Sequence, residues 1–424
     1  SIRKMIGSSI ATVGHASHLA FAHSPCSFLT PVRPRHTPQR CVVLMQAASK
    51  GKDEQRATPS RRTAVLSALI LASSLFMGAQ TSSAVDTSTD ARVFTVQQTT
   101  DPARPYTLMA TPEKLLLDKL AKNNVIFLGE HHNKADDHTL QAKIIAGLAE
   151  RRGGDLAVGL EMVQEQFQWA LDSYINRDIR DDVAAEKALY DGVEWAERWQ
   201  WSYENYLPVF RLARAQKIPL IALNVDSAAM EKVRFGGFES LPQKDRDLYV
   251  DDKKGFIAFA KTPGFVDYVE KVVMPSYAFH ADMGLLGKNP NRANFYSSRI
   301  LWDEGMSNVA RRFLQKDNDK KLMVILEGAD HVKFGMGSVG RMKRMAPSFQ
   351  VASVLLNPTT VDSLTDDDEE QPLALQMAYG GQVITGAEGT SQTKPKGVLG
   401  LADYLWFSSP PTNALIPAAL RKVA

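Results

Sequence analysis

The chain holds only two cysteines, Cys26 and Cys41, and none after residue 41. A body without thiols forms no disulfide and does no thiolate chemistry. Acids are nearly missing from residues 1–84, where ten Lys and Arg face only Asp53 and Glu54. The remainder carries 40 basic and 45 acidic residues. The basic excess therefore belongs to the N-terminal stretch, and the body gives no electrostatic reason to bind nucleic acid. A Walker loop, H-E-x-x-H and G-x-S-x-G are all missing. "GMGSVG" at 335–340 matches G-x-G-x-x-G, but it starts several residues after the preceding apolar run, so it is not read as a dinucleotide fingerprint. The apolar run at 64–77 is interrupted by Ser67, Ser73 and Ser74. It falls short of the roughly 20 residues that span a bilayer, which argues against a stable membrane span in the mature form.

The first 84 residues read as targeting sequence. Ser, Arg, Pro and His dominate the first 60. Arg61-Arg62, the apolar run and Ser82-Ser83-Ala84 then form a twin-arginine export signal with cleavage expected after Ala84. Retention of 64–77 as an anchor is the alternative. A transit peptide followed by a twin-arginine signal resembles the bipartite leaders of thylakoid-lumen proteins, which implies a chloroplast protein of the lumen.

Five short apolar runs read as buried parallel strands: 125–130, 156–162, 218–224, 321–328 and 349–357. Helical patterns separate them, among them 138–152, ending at Gly153, and 292–316. The expected fold is α/β, a mostly parallel central β-sheet flanked by helices. Two gaps, 164–216 and 226–290, exceed a single crossover helix and read as helical insertions forming a lid or second lobe. The domain plan is a leader at 1–84, a lead-in at 85–109 and an α/β domain at 110–358. An acidic linker and a weakly structured extension follow at 359–424.

Nine histidines occur, and four of them (His15, His18, His23, His36) lie in the leader. The others are His131, His132, His138, His280 and His331. Four of these five follow the ends of the first and fourth strand runs, where open α/β sheets bind ligands. "GEHH" and "GADH" share the spacing Gly-x-x-His, ending at His132 and His331. Glu130, Glu161, Asn224, Glu327 and Asp330 mark the same edge. Asp136 is the expected N-cap of the next helix, with His138 in its first turn. His280, in the second insertion, is placed to reach the site from above. "WAERWQWSYENY" reads first as helix-packing core and only second as a cofactor slot.

The blocks "LGEHH…DDH", "GLEM", "LNVD", "WDEGM" and "EGADHVKFGMGSVGR" resemble, in order, those of the ChaN-like haem-binding family. That family is part of the Tiki/TraB/erythromycin-esterase-like superfamily, and the resemblance spans residues 110–357. It implies an α/β sheet with a helical subdomain and a haem or related tetrapyrrole cofactor. The matching positions are Glu130, His132, His138, Glu161, Asn224, Asp303, Met306, Gly328, His331, Gly337 and Arg341. Cofactor contacts are expected from His132, His138, Asn224, His280, Asp303, His331 and Arg341. Two departures stand out: "GSVGR" lacks the usual proline before the arginine, and His131 replaces a Thr or Ser and is read as surface. An axial Tyr agrees with the family, but no motif places one.

A metal-dependent hydrolase uses the same residues. His132, His138, His331 and Glu130 would hold a divalent Mn, Zn or Co ion, with Glu130, Glu161 or Glu327 as catalytic carboxylate. A structural protein retaining the polar cluster is a third reading. The sequence leaves a homodimer open.

Overall fold

The computed structural model describes residues 90–282, 286, 289–316, 320–363, 371–385 and 391–422. The leader, its apolar run and cleavage site, and the acidic run at 366–370 lie outside the described residues.

The strands are β1 (Val93–Gln98), β2 (Tyr106–Ala110), β3 (Val125–Glu130), β4 (Leu156–Gln164), β5 (Leu220–Asn224), β6 (Leu322–Gly328) and β7 (Val351–Leu356). There follow β8 (Gln376–Tyr379), β9 (Gln382–Thr385), β10 (Ser391–Lys394), β11 (Gly397–Gly400), β12 (Tyr404–Trp406) and β13 (Arg421–Lys422). One sheet runs β13-β2-β1-β12-β7-β3-β6-β4-β5. From β12 to β5 every pairing is parallel, with Ile126 opposite Val324 and Ala352. All five strands expected from apolar runs are in this parallel part. Each is covered on both faces, and that is why its apolar residues are continuous rather than alternating.

Two sequence expectations change here. The lead-in is not merely extended: β1 and β2 form an antiparallel hairpin on the sheet. The stretch after 371 is not weakly structured either. β12 lies between β1 and β7 and buries Leu405 and Trp406, while β8 with β11 and β9 with β10 form small antiparallel pairs. A three-residue strand has too little sequence for a period. Its place is set by pairing with β7, about fifty residues away in the chain.

Helices of eight residues or more are α1 (Glu113–Leu120), α2 (Ala135–Arg152), α3 (Gln168–Asn176), α4 (Asp182–Gly192) and α5 (Tyr203–Gln216). Next come α6 (Ser227–Gly236), α7 (Met274–Asp282), α8 (Arg292–Lys316) and α9 (Ser338–Met345). Side chains alternate across a strand, so β3 sends Ile126 and Leu128 to one face and Val125 and Phe127 to the other. The first face is covered by α2 and by the first insertion, through Leu171, Tyr206 and Phe210. The second is covered by α6, α8 and α9, through Val233, Leu301 and Met342. The insertions thus lie on opposite faces of the sheet. No helix among the described residues is long and apolar enough to cross a membrane.

α2 ends as expected: Gly153 takes the left-handed conformation (φ 60°) that closes a helix without a Cβ penalty. Its start differs. Lys134, not Asp136, is the N-cap and makes no side-chain cap bond. Asp136 and Asp137 fall in the first turn, where the helix dipole favours negative charge.

Candidate functional site

Beyond the carboxyl ends of β3, β4, β5 and β6 lies a cavity of about 700 Å³. Glu130, His132, Glu161, Asn224 and His331 line it from the sheet edge. Trp199 and Trp201 line it from the first insertion, and Met230, Arg234 and Val272 from the second.

Glu130 ends β3 fully buried on the α2 face. Its carboxylate accepts the Tyr206 hydroxyl at 2.7 Å and the Gln141 amide, and pairs with His132 Nδ1 at 2.9 Å. Burial alone would raise this carboxyl, but the His132 hydrogen bond and the nearby imidazoles hold it below its ordinary value. Burial likewise opposes charge on His132, and the bond to Glu130 reverses that and raises its pKa. With Nδ1 fixed by Glu130, Nε2 of His132 has no protein partner among the described residues and faces the cavity. The ring packs against Trp201 (centroids 4.2 Å apart) and meets Trp199 edge-on (5.0 Å).

Gly328 makes this position available. A Cβ there would stand 2.8 Å from His132 Nε2. The missing side chain gives the imidazole room over the sheet edge, a physical reason for glycine in the second Gly-x-x-His.

His331 follows Gly328 in a short helical turn, and its ring is held from several sides. Nε2 stands 3.1 Å from Glu161, Nδ1 contacts Asp303, and Arg299 lies alongside. Burial and Arg299 disfavour its charge, but Glu161 and Asp303 prevail and push its pKa up to about 10. Burial works against the Glu161 carboxylate too, yet His331 and the Gly328 N–H (2.7 Å) hold its pKa down to about 2. Gly337 is needed for packing here, since a Cβ would come 2.2 Å from the His331 carbonyl oxygen. Gly337 and Gly340 of "GMGSVG" therefore serve close chain approach, while Gly335 takes a left-handed turn (φ 64°).

The remaining expected residues stand as follows. His138 is fully buried, with Nδ1 on Gln141 and Nε2 donating to the His132 carbonyl, both at 3.1 Å. Neither nitrogen is left to ligate, and its place is to support the His132 backbone. Asn224 lines the cavity and donates to the Glu161 carbonyl (2.7 Å), tying β5 to β4. Asp303, Glu327 and Arg341 lie behind the cavity wall rather than on it. Arg341 pairs with Glu304 (3.2 Å) among the rings of Phe256, Phe259 and Phe265. Glu327 is buried with neither carboxyl oxygen hydrogen-bonded, and burial pushes its pKa up to about 8. His280 is on α7, with its side chain outside the described residues.

His131 is not a surface residue. Its backbone N–H and Nδ1 both meet Asp137 (2.7 and 2.8 Å), and Nε2 meets Asp362 (3.0 Å). Burial disfavours its charge, but the two carboxylates push its pKa up to about 10. The ring ties the loop after β3 to the segment after β7, a partner 231 positions away that no local pattern reveals.

The sequence reading missed Arg299 and Trp302 on α8, and Arg198 and Arg234, all lining the cavity. Mid-helix arginines look like solvated residues in a sequence, so nothing local distinguishes them. The aromatic block divides: Trp195, Tyr203 and Tyr206 are core, as read, while Trp199 and Trp201 flank His132.

Among the described residues no three His, Cys, Asp or Glu side chains are arranged to hold a metal ion. The donor set expected for a divalent ion does not assemble, because His138 and His331 have both ring nitrogens engaged. A tetrapyrrole asks instead for an apolar slot, one axial donor and cationic partners for its acids. The tryptophans, His132 Nε2 and the cavity arginines meet those demands. No tyrosine lines the cavity among the described residues.

A curated relative, Protein RETICULATA-RELATED 5, chloroplastic, from Arabidopsis thaliana, is 24% identical over 255 residues, 58% of this chain and 33% of its own length. The chain thus spans about a third of that relative. The structure titled for cofacial haem binding to ChaN of Campylobacter jejuni aligns with TM-score 0.44 at 16% identity, covering 63% of this chain and 91% of its own. An erythromycin esterase, EreC, in its open conformation aligns with TM-score 0.34 at 13% identity, covering 66% and 78%. Scores this low fix no residue correspondence. The model of the family described as haem-binding uptake, Tiki superfamily, ChaN matches residues 116–342. That match covers more than half of the chain and includes both Gly-x-x-His turns, and this protein belongs to that family.

Proposed function

We propose that the protein binds haem or a closely related tetrapyrrole in this cavity, where His132 Nε2 would ligate its iron. The observation that carries the reading is the state of His132: Glu130 fixes Nδ1, and Nε2, on an aromatic-lined cavity, has no partner among the described residues. A carboxylate behind a ligating imidazole sets its tautomer and raises its basicity. Bound haem would supply iron for ligand or electron chemistry. The chain's own part would be to supply the aromatic lining of Trp199 and Trp201 and to hold the His132 ring by its Nδ1 on Glu130. Family membership supports the reading. The relative's name and the acid-poor leader support a plastid location, and the twin-arginine pattern supports the thylakoid lumen.

The test is a haemin titration followed in the Soret region. A shifted band in the wild type and its loss in His132→Ala is the expected result. A band unchanged in that variant would remove His132 from the role. A hydrolase remains a second reading, because the Glu130–His132 pair is also the geometry of a general base. Ester or peptide hydrolysis abolished by Glu130→Gln, with no haem spectrum, would favour it.

A further inference from the structure

Arginines near the cavity are mostly matched with carboxylates. Arg198 pairs with Glu194 (2.6 Å), Arg341 pairs with Glu304 (3.2 Å), and Arg344 pairs with Glu304 and Asp252. Arg234 and Arg299 are different. Both line the cavity, and neither makes an ion pair among the described residues.

Arg299 projects from α8, where its Nη1 lies against the His331 ring (2.7 Å from Nδ1), and among the described residues its guanidinium makes no other hydrogen-bond contact. Two cationic groups side by side are a poor end state. Asp303, Asp330 and Glu161 balance their charge, but those carboxylates already pair with His331, Lys333 and the Gly328 N–H. A guanidinium carries five donors and no acceptor, so most of the Arg299 donors go unmatched among the described residues. Arg234 projects from α6 in the second insertion. Its guanidinium lies 5.1 Å from the Phe235 ring centroid, and its Nε is sealed from solvent without a hydrogen-bond partner. Glu231, one turn earlier and also on the cavity, does not pair with it. Two unmatched forks on different helices, facing one apolar-walled space, suit planar carboxylates.

We infer that the cavity recognises a ligand bearing two carboxylate groups, one held by Arg299 and one by Arg234. This rests on the tetrapyrrole reading and deepens it, because it makes the acid groups, rather than the ring alone, the basis of recognition.

The full chain is titrated with haemin, with haemin dimethyl ester and with citrate. Binding is followed in the Soret region and by fluorescence of the cavity tryptophans. Haemin should bind at least about tenfold more tightly than its ester, the worth of one charge-assisted hydrogen bond. Arg299→Met and Arg234→Met should each lower haemin affinity toward that of the ester, with Lys at either position restoring part of it. Citrate should quench the wild type and not the double Met variant. Thermal melts identify a variant that fails to fold, and the Lys variants and the wild-type ester comparison then still decide. Equal binding of haemin and ester by the wild type would overturn the inference and leave the haem reading standing. Arginine-dependent citrate binding without haemin binding would do the reverse. Absence of both overturns both.

Discussion

The turns ending at His132 and His331 share the pattern Gly-x-x-His, and the structure gives them opposite states. His132 keeps one nitrogen on Glu130 and offers the other to the cavity. His331 has its nitrogens on Glu161 and Asp303, with Arg299 alongside. The difference lies in the neighbours. The loop after β3 runs beneath the tryptophans of an insertion, whereas the turn after β6 lies against α8, which carries Asp303 and Arg299. Equal spacing brings two imidazoles to one edge, and only the surroundings make one available and the other a keystone.

Truncating the two histidines should therefore separate binding from stability. His331→Ala strands Glu161 and Asp303 as buried carboxylates, which should cost about 3–5 kcal/mol in chemical denaturation. The folded fraction should keep its haem band. His132→Ala should lose the band at little cost in stability, since Glu130 keeps Tyr206 and Gln141 as donors. Similar losses of stability in both variants would erase the contrast.

A smaller effect is expected behind the first histidine. Glu130→Gln leaves the packing intact but weakens the hold on Nδ1, and haemin affinity should fall roughly 10–100-fold, as for other partners behind a ligating histidine. Unchanged affinity would mean that the tryptophans alone orient the ring.

A pH-dependent effect lies behind the second histidine, at Glu327. Its pKa is raised to about 8 by burial, so the native state holds a proton that the unfolded chain releases near pH 4.5. Stability contributed this way is present below the unfolded value and is lost as pH rises toward 8. Unfolding free energy should fall across that interval, and Glu327→Gln should flatten the slope. A slope unchanged by that substitution would assign it to another group.

The parallel strands were legible because burial on both faces leaves continuous apolar runs, as in "VIFLGE" and "LMVILEG". The edge they end on was legible because polar residues collect where such strands stop. His131 was misread, because its second partner, Asp362, belongs to a segment after β7. β12 was missed because three residues carry no periodicity.

The sequence by itself determined the five apolar strands in the parallel part of the sheet, its functional edge and the pair of histidines there, since apolar patterning and turn glycines act locally. Tertiary structure alone decided which histidine faces the cavity, which carboxylates are spent on pairing, and which arginines are left unmatched. Those are matters of contact between helices and loops far apart in the chain, where burial sets how strongly each charge must be answered.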